Sequence, residues 1–125
     1  MLEKHRLIAF IATRDGARAR EFYEKTLGLK IISDDDYAIA VDANGTMLRI
    51  QKVGEFTPHP FTALGWEAPD IGAAVALLSG RGIRFERFSG MSQDARGIWR
   101  SPSGAHVAWF KDPDGNMLSL TQQYL

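Results

Sequence analysis

One pattern occurs twice in this chain of 125 residues, and it limits the fold more than any other feature. Near the C-terminus stands Asp112-Pro113-Asp114-Gly115-Asn116-Met117-Leu118-Ser119-Leu120. Asp42-Ala43-Asn44-Gly45-Thr46-Met47-Leu48-Arg49-Ile50 has the same form, Asp-x-Asx-Gly-x-Met-Leu-x-aliphatic, 70 residues earlier. Proline presets φ at a turn position and glycine accepts φ > 0, so Asp-Pro-Asp-Gly is a tight-turn signal. Val107-Ala108-Trp109-Phe110 precedes it and Met117-Leu118-Ser119-Leu120 follows, so the stretch reads as a β-hairpin. The same argument makes the earlier copy a hairpin too. A chain with this repeat is expected to be two related modules.

The rest of the chain fits that expectation. Residues 6–13 (RLIAFIAT) are apolar and β-branched, and predict a first strand closed by Asp15-Gly16. Ala19, Phe22, Tyr23, Thr26 and Leu27 then recur at helical spacing, with Asp15 as N-cap and Gly28 as the stop. Leu29 to Ile32, Tyr37 to Val41 and Thr46 to Lys52 predict three strands, and Asp34-Asp35-Asp36 a solvated turn. Residues 54–60 (GEFTPHP) form a Pro- and Gly-bearing connector. Phe61 to Ala68 predicts a strand, and Asp70 caps a helix carrying Ile71, Ala74, Val75 and Leu78 up to Gly80 and Gly82. Ile83 to Phe88 predicts a strand, 90–96 a mobile loop, and 97–100 a short strand before the hairpin. The helix-capping aspartates are 55 residues apart and the hairpins 70, so the second copy carries an insertion, placed at the loop 90–96. The predicted class is α+β, with module 1 at about 6–53 and module 2 at about 61–123 of one domain. Each βαβββ module is too small to bury a full core alone. Paired curved sheets with a cleft between them are therefore expected, and a cleft is the default binding site.

Composition removes several function classes. Fifteen basic and fifteen acidic residues cancel, leaving no net field for nucleic acid or an anionic membrane. Without cysteine there is no disulfide framework, thiolate nucleophile or Cys-ligated metal. No run approaches the ~20 apolar residues of a membrane helix. The first apolar run is too short for a signal peptide, and a cytoplasmic location is expected.

The segments Phe22-Tyr23-Glu24-Lys25-Thr26-Leu27-Gly28-Leu29 and Phe110-Lys111-Asp112-Pro113-Asp114-Gly115-Asn116-Met117-Leu118-Ser119-Leu120, in this order, resemble the vicinal oxygen chelate superfamily. It includes glyoxalase I, fosfomycin- and bleomycin-resistance proteins, extradiol dioxygenases and methylmalonyl-CoA epimerase. The resemblance implies the glyoxalase/bleomycin-resistance-like fold, and a homodimer as in many relatives. It also implies metal ligands on the first and fourth strands of each module, at Ile8, Arg49, Leu64 and Ser119. None is a usable donor: a divalent cation takes carboxylate, imidazole or thiolate, and arginine would repel it. The chain is therefore expected to be a member without the usual metal ligands, and to bind neither metal nor another cofactor.

With a strand period of two, the face set by those positions also takes Phe10, Met47, Gln51, Trp66, Met117 and Thr121. Trp109, across the hairpin from Ser119, matches a pocket-lining tyrosine of the fosfomycin-resistance relatives. The candidate ligand-binding residues are Arg49, Trp66, Trp109, Ser119, Gln51, Phe10 and Trp99. Arginine offers a fork for a carboxylate or phosphate, and indole a stacking face. Equally open are a core-filling role for the tryptophans, an edge or dimer contact for Trp99, and an internal ion pair for Arg49, with Glu67 as partner. His5, His59 and His106 lack ligand spacing and read as surface residues. The leading expectation is metal-independent binding of a small organic molecule, aromatic or anionic, as in the bleomycin-resistance branch. The alternatives are a lyase, isomerase, epimerase or dioxygenase-related enzyme with a non-standard site, and a structural module with a filled cleft.

Overall fold

The computed structural model describes residues 1–124 and divides into two compact units, one of Met1–Thr57 and one beginning at Pro58. In the first unit β1 (Ile8–Thr13), α1 (Gly16–Glu21), β2 (Lys30–Asp34), β3 (Ala38–Ala43) and β4 (Thr46–Lys52) follow in order. The sheet order is β1-β4-β3-β2, with β1 parallel to β4 and the other pairs antiparallel. Asp15 starts the helix by accepting from the Arg18 N–H at 3.2 Å. The stripe expected as far as Leu27 is α-helical only to Glu21, and then widens into a π-helical turn at Phe22–Thr26. The Phe22 and Tyr23 rings meet edge-on at that transition, 5.2 Å apart.

Alternation decides which strand residues are buried. Ile11, Thr13, Ile39, Val41, Leu48 and Ile50 are buried together with Ala19 and Tyr23 of the helical segment. Each large side chain buried this way contributes roughly 1.5–3 kcal/mol. Thr13 is tolerated there because its hydroxyl donates to the Asp15 carbonyl at 3.0 Å and accepts the Asp15 N–H at 3.1 Å.

The second unit repeats the topology with β5 (Thr62–Glu67), α2 (Ile71–Gly80), β6 (Trp99–Arg100), β7 (His106–Lys111) and β8 (Met117–Gln122), ordered β5-β8-β7-β6. Asp70 caps α2 by accepting from the Ala73 N–H at 3.1 Å. Ile71, Val75 and Leu78 of α2 are buried, as are Ala108, Phe110, Leu118 and Leu120 of β7 and β8, which the helix contacts. The Gln122 side chain fixes the helix start, its Oε1 accepting the Ile71 N–H at 3.0 Å. No helix among the described residues is long and apolar enough to cross a membrane.

One expected element is not a strand. Residues 83–88 make only a single bridge, Phe85 to Phe110, and one further bond from the Glu86 N–H to the Trp109 carbonyl at 2.7 Å. The outer edge of β7 is shared: β6 takes its first two residues and 85–86 its other end. Neither segment can then extend along the whole edge.

The two hairpins differ by one residue. In the first, Ala43 pairs with Thr46 around Asn44-Gly45, at φ 53° and 94°. Two successive positive φ values give the primed turn that suits strand twist. In the second, the Asp112 N–H donates to the Asn116 carbonyl at 3.0 Å, enclosing Pro113, Asp114 and Gly115. The Gly115 N–H returns to the Asp112 carbonyl at 3.0 Å and Gly115 has φ 92°, a type I turn ending in a left-handed glycine. This extra loop residue changes which side chain of β7 stands opposite which of β8.

Candidate functional site

Each unit presents a sheet face opposite its helix. In the first, Ile8 pairs with Met47, Phe10 with Arg49 and Ala12 with Gln51, while Ala40 flanks Arg49 from β3. Phe10, Arg49 and Gln51 therefore share one face, as the period-two reading expected. Ile8 and Phe10 are 46% and 53% exposed, so this face holds uncovered apolar surface. At the Ile8–Met47 end lies a hollow of about 420 Å³ that also touches Arg6 and Ile32. Arg49 is half-buried, and no hydrogen bond or ion pair holds it within its unit among the described residues. Its charge is felt by Asp35, whose carboxyl sits below its usual range. The N–H groups of Ala38 and Tyr37 are the main causes there, and Arg49 and Lys52 are minor ones.

The register of the second sheet corrects the sequence reading. Gly65 pairs with Ser119, whereas Leu64 pairs with Leu118 and Trp66 with Leu120. Leu64 and Trp66 thus stand on the helix-covered face, not with Ser119. The physical cause is an irregularity between Thr62 and Leu64, since one displaced residue turns every later side chain to the other face. Counting back from Asp70 cannot detect it. Trp109 pairs with Ser119 from the other side, and Trp99 pairs with Val107, so both lie on the Ser119 face.

That face is built from aromatic rings around a small floor. Trp99 and Trp109 have centroids 6.0 Å apart, inclined at 38°, and Phe88 stands perpendicular to Trp109 at 5.4 Å. All three side chains are half-buried. Gly65 leaves the floor open, because a Cβ there would come within 2.7 Å of the Ser119 hydroxyl. Ser119 is only 6% exposed, and its hydroxyl has no hydrogen-bond partner among the described residues. No side-chain nitrogen or oxygen is both sealed and unpartnered, so that hydroxyl is reached by solvent.

The segment after residue 86, expected as a mobile loop, carries a dense set of bonds. Gln93 and Asp94 anchor it, and Arg87 donates to their backbone carbonyls at 3.2 and 2.8 Å. Burial pushes the Asp94 carboxyl up. It is nevertheless held below its usual range by the Ile98 N–H at 3.0 Å, the Arg96 N–H at 2.8 Å and the Arg96 guanidinium. Phe88, Gly65 and Gln93 escaped the sequence reading. Gly65 follows the register slip, and no local pattern marks Phe88 or Gln93 as neighbours of Trp109.

The model of the Glyoxalase/Bleomycin resistance protein/Dioxygenase superfamily matches residues 5–120. The chain belongs to this superfamily. The family fold is shared with the glyoxalase/bleomycin resistance protein/dioxygenase of Alicyclobacillus acidocaldarius, 22% identical, TM-score 0.73, over 98% of this chain and 93% of that one. A superfamily member from Sphaerobacter thermophilus DSM 20745 is 23% identical, TM-score 0.75, over 98% and 100%. TnmS3, described as an antibiotic binding protein from Streptomyces sp. CB03234, is 24% identical, TM-score 0.73, over 99% of each chain. The search of curated proteins returns no significant match.

The residues present do not fit the metal of the family's metal enzymes. Ile8, Arg49, Leu64 and Ser119 stand at the expected ligand positions, and Gly65, which the true register places beside Ser119, offers no donor either. Among the described residues, no three or more His, Cys, Asp or Glu side chains gather as a metal ion would require.

Proposed function

We propose that this chain binds a small organic molecule with an aromatic part, without a metal ion, on the Ser119 face of its second sheet. The observation that carries the reading is the convergence of Phe88, Trp99 and Trp109 around a solvent-reached hydroxyl with no partner. Indole faces supply large contact area at low entropic cost, and one polar group fixes orientation. TnmS3, a chain of the same fold described as binding an antibiotic, supports small-molecule capture as a use of this scaffold. Arg49 is the proposed holder of an acidic group on the ligand, because a half-buried guanidinium without a bonded carboxylate in its unit is available to one.

The test is fluorescence titration in a Trp66→Phe background, so that only Trp99 and Trp109 report. 2-Naphthoate and the uncharged 2-naphthol are suitable probes. Saturable quenching is expected, with Trp109→Leu weakening binding about tenfold or more, equivalent to ~1.4 kcal/mol. Saturable binding that Trp109→Leu leaves untouched, or no saturable binding across a panel of aromatic acids and phenols, would reject this reading.

A further inference from the structure

We infer that Gln93 is the positioning residue of the aromatic wall, holding Phe88, Trp99 and Trp109 in place before any ligand arrives. The inference rests on the binding role of that face. It starts from one side-chain amide that satisfies three backbone groups. Gln93 Oε1 accepts the Phe88 N–H at 2.8 Å. Its Nε2 donates to the Glu86 carbonyl at 2.9 Å and to the Gly97 carbonyl at 2.9 Å. Only one orientation of the amide satisfies a donor and two carbonyls, so the pattern also assigns which end is nitrogen.

Each bond leads to one of the rings. The Phe88 N–H belongs to the residue whose ring stands against Trp109. Glu86, held through its carbonyl, donates its own N–H to the Trp109 carbonyl at 2.7 Å and so ties the segment to β7. Gln93 also makes a backbone bridge with Trp99. Gly97, held by the third bond, is buried and precedes Ile98 and Trp99. A long connection between two wall residues would otherwise have to be ordered by the ligand, at an entropic cost charged against affinity. With Gln93 in place, that ordering is complete in the free protein.

No other side chain reproduces the arrangement. Glutamate would set a carboxylate against two carbonyls, asparagine is one methylene short, and leucine fills the volume while leaving all three backbone groups unmet. Gln93 touches no ligand in this account and acts only through the residues it holds.

The experiment compares Gln93→Leu with the unmodified residue in the Trp66→Phe background, using two readouts. The first is the circular-dichroism exciton couplet expected of two indoles at this distance and tilt, assigned by its loss in Trp99→Phe. The second is the affinity for 2-naphthoate. Loss of most of the couplet and a tenfold or greater fall in affinity, in a variant that still unfolds cooperatively, is the expected result. A residue of merely structural importance would lower the unfolding midpoint and leave couplet and affinity unchanged, and that outcome overturns the inference. If Gln93→Leu does not fold, Gln93→Asn is read in the same way. Failure of the unmodified protein to bind naphthoate rejects the binding reading separately. The couplet then decides alone: its absence from the unmodified protein, or its survival in Gln93→Leu, overturns the positioning role.

Discussion

The two sheets share strand order and a repeated hairpin sequence, yet their faces invert the placement of bulk. At the centre of the first, Phe10 and Ala40 flank Arg49. At the same place in the second, Gly65 and Trp109 flank Ser119. The large ring has moved from the parallel neighbour to the antiparallel one, and the long cation has become a short hydroxyl. Two one-residue events accompany the inversion: the longer second turn, which brings Trp109 opposite Ser119, and the irregularity in β5, which brings Gly65 beside it. A repeat can thus keep its backbone plan while each copy acquires a different surface.

The turns offer the largest expected contrast. Asp112 is buried, and its carboxylate accepts from the N–H groups of Asp114 and Asn116 and from the Asn116 side chain, each at 2.9 Å. Asp42 is half-buried and accepts from the Gly45 N–H at 2.7 Å. Since hydrogen bonds to charged groups contribute about 1.5–3 kcal/mol and buried donors left unmet add to the loss, Asp112→Ala should destabilise by about 3 kcal/mol or more. Asp42→Ala should lose about 1 kcal/mol or less. Urea denaturation of both variants measures the difference, and equal losses would mean that the second turn is no better built than the first.

Gly65 tests the inversion at the floor. Adding one methyl group forces the Ser119 hydroxyl aside, so Gly65→Ala should weaken 2-naphthol binding about tenfold, or ~1.4 kcal/mol, with little change in unfolding midpoint. Unchanged affinity would remove the floor from the site. For the first face, Arg49→Ala should weaken 2-naphthoate several-fold, about 1 kcal/mol, and leave 2-naphthol unaffected. Equal effects on the charged and neutral probes would end the anion-holding role of Arg49.

The smallest effect belongs to the surface of the first unit. Lys52 donates to Asp34 at 2.6 Å, and this bond is the chief reason the Asp34 carboxyl lies below its usual range; Arg20, at 3.1 Å, also lowers it. Because folding lowers this pKa, the stabilisation is present above the unfolded carboxylate's value near ~3.9 and is lost as pH falls through the folded value. Lys52→Met should therefore cost about 0.5 kcal/mol at neutral pH, and less once the carboxylate is protonated. A cost that stays constant down to pH ~2 would show that Lys52 acts by packing, for example against Gly16, and not by charge.

Much of the architecture follows from sequence alone, for local physical reasons. Asp15 and Asp70 announce helix starts because a short carboxylate can accept the free N–H groups there. Asn44-Gly45 and Pro113 through Gly115 announce turns because their backbones tolerate what turns require. The absence of metal donors is equally legible, since it depends only on which residue types occupy the expected positions. The face a side chain takes is not local. It depends on register, and one displaced residue moved Leu64 and Trp66 away from Ser119 and brought Gly65 in. The wall was hidden for the same reason: Phe88, Gln93 and Trp109 are separated along the chain and meet only because 85–86 completes the edge of β7. Residue type and local spacing determined the repeat, the caps and the missing ligands. Long-range pairing decided which of those residues share a surface.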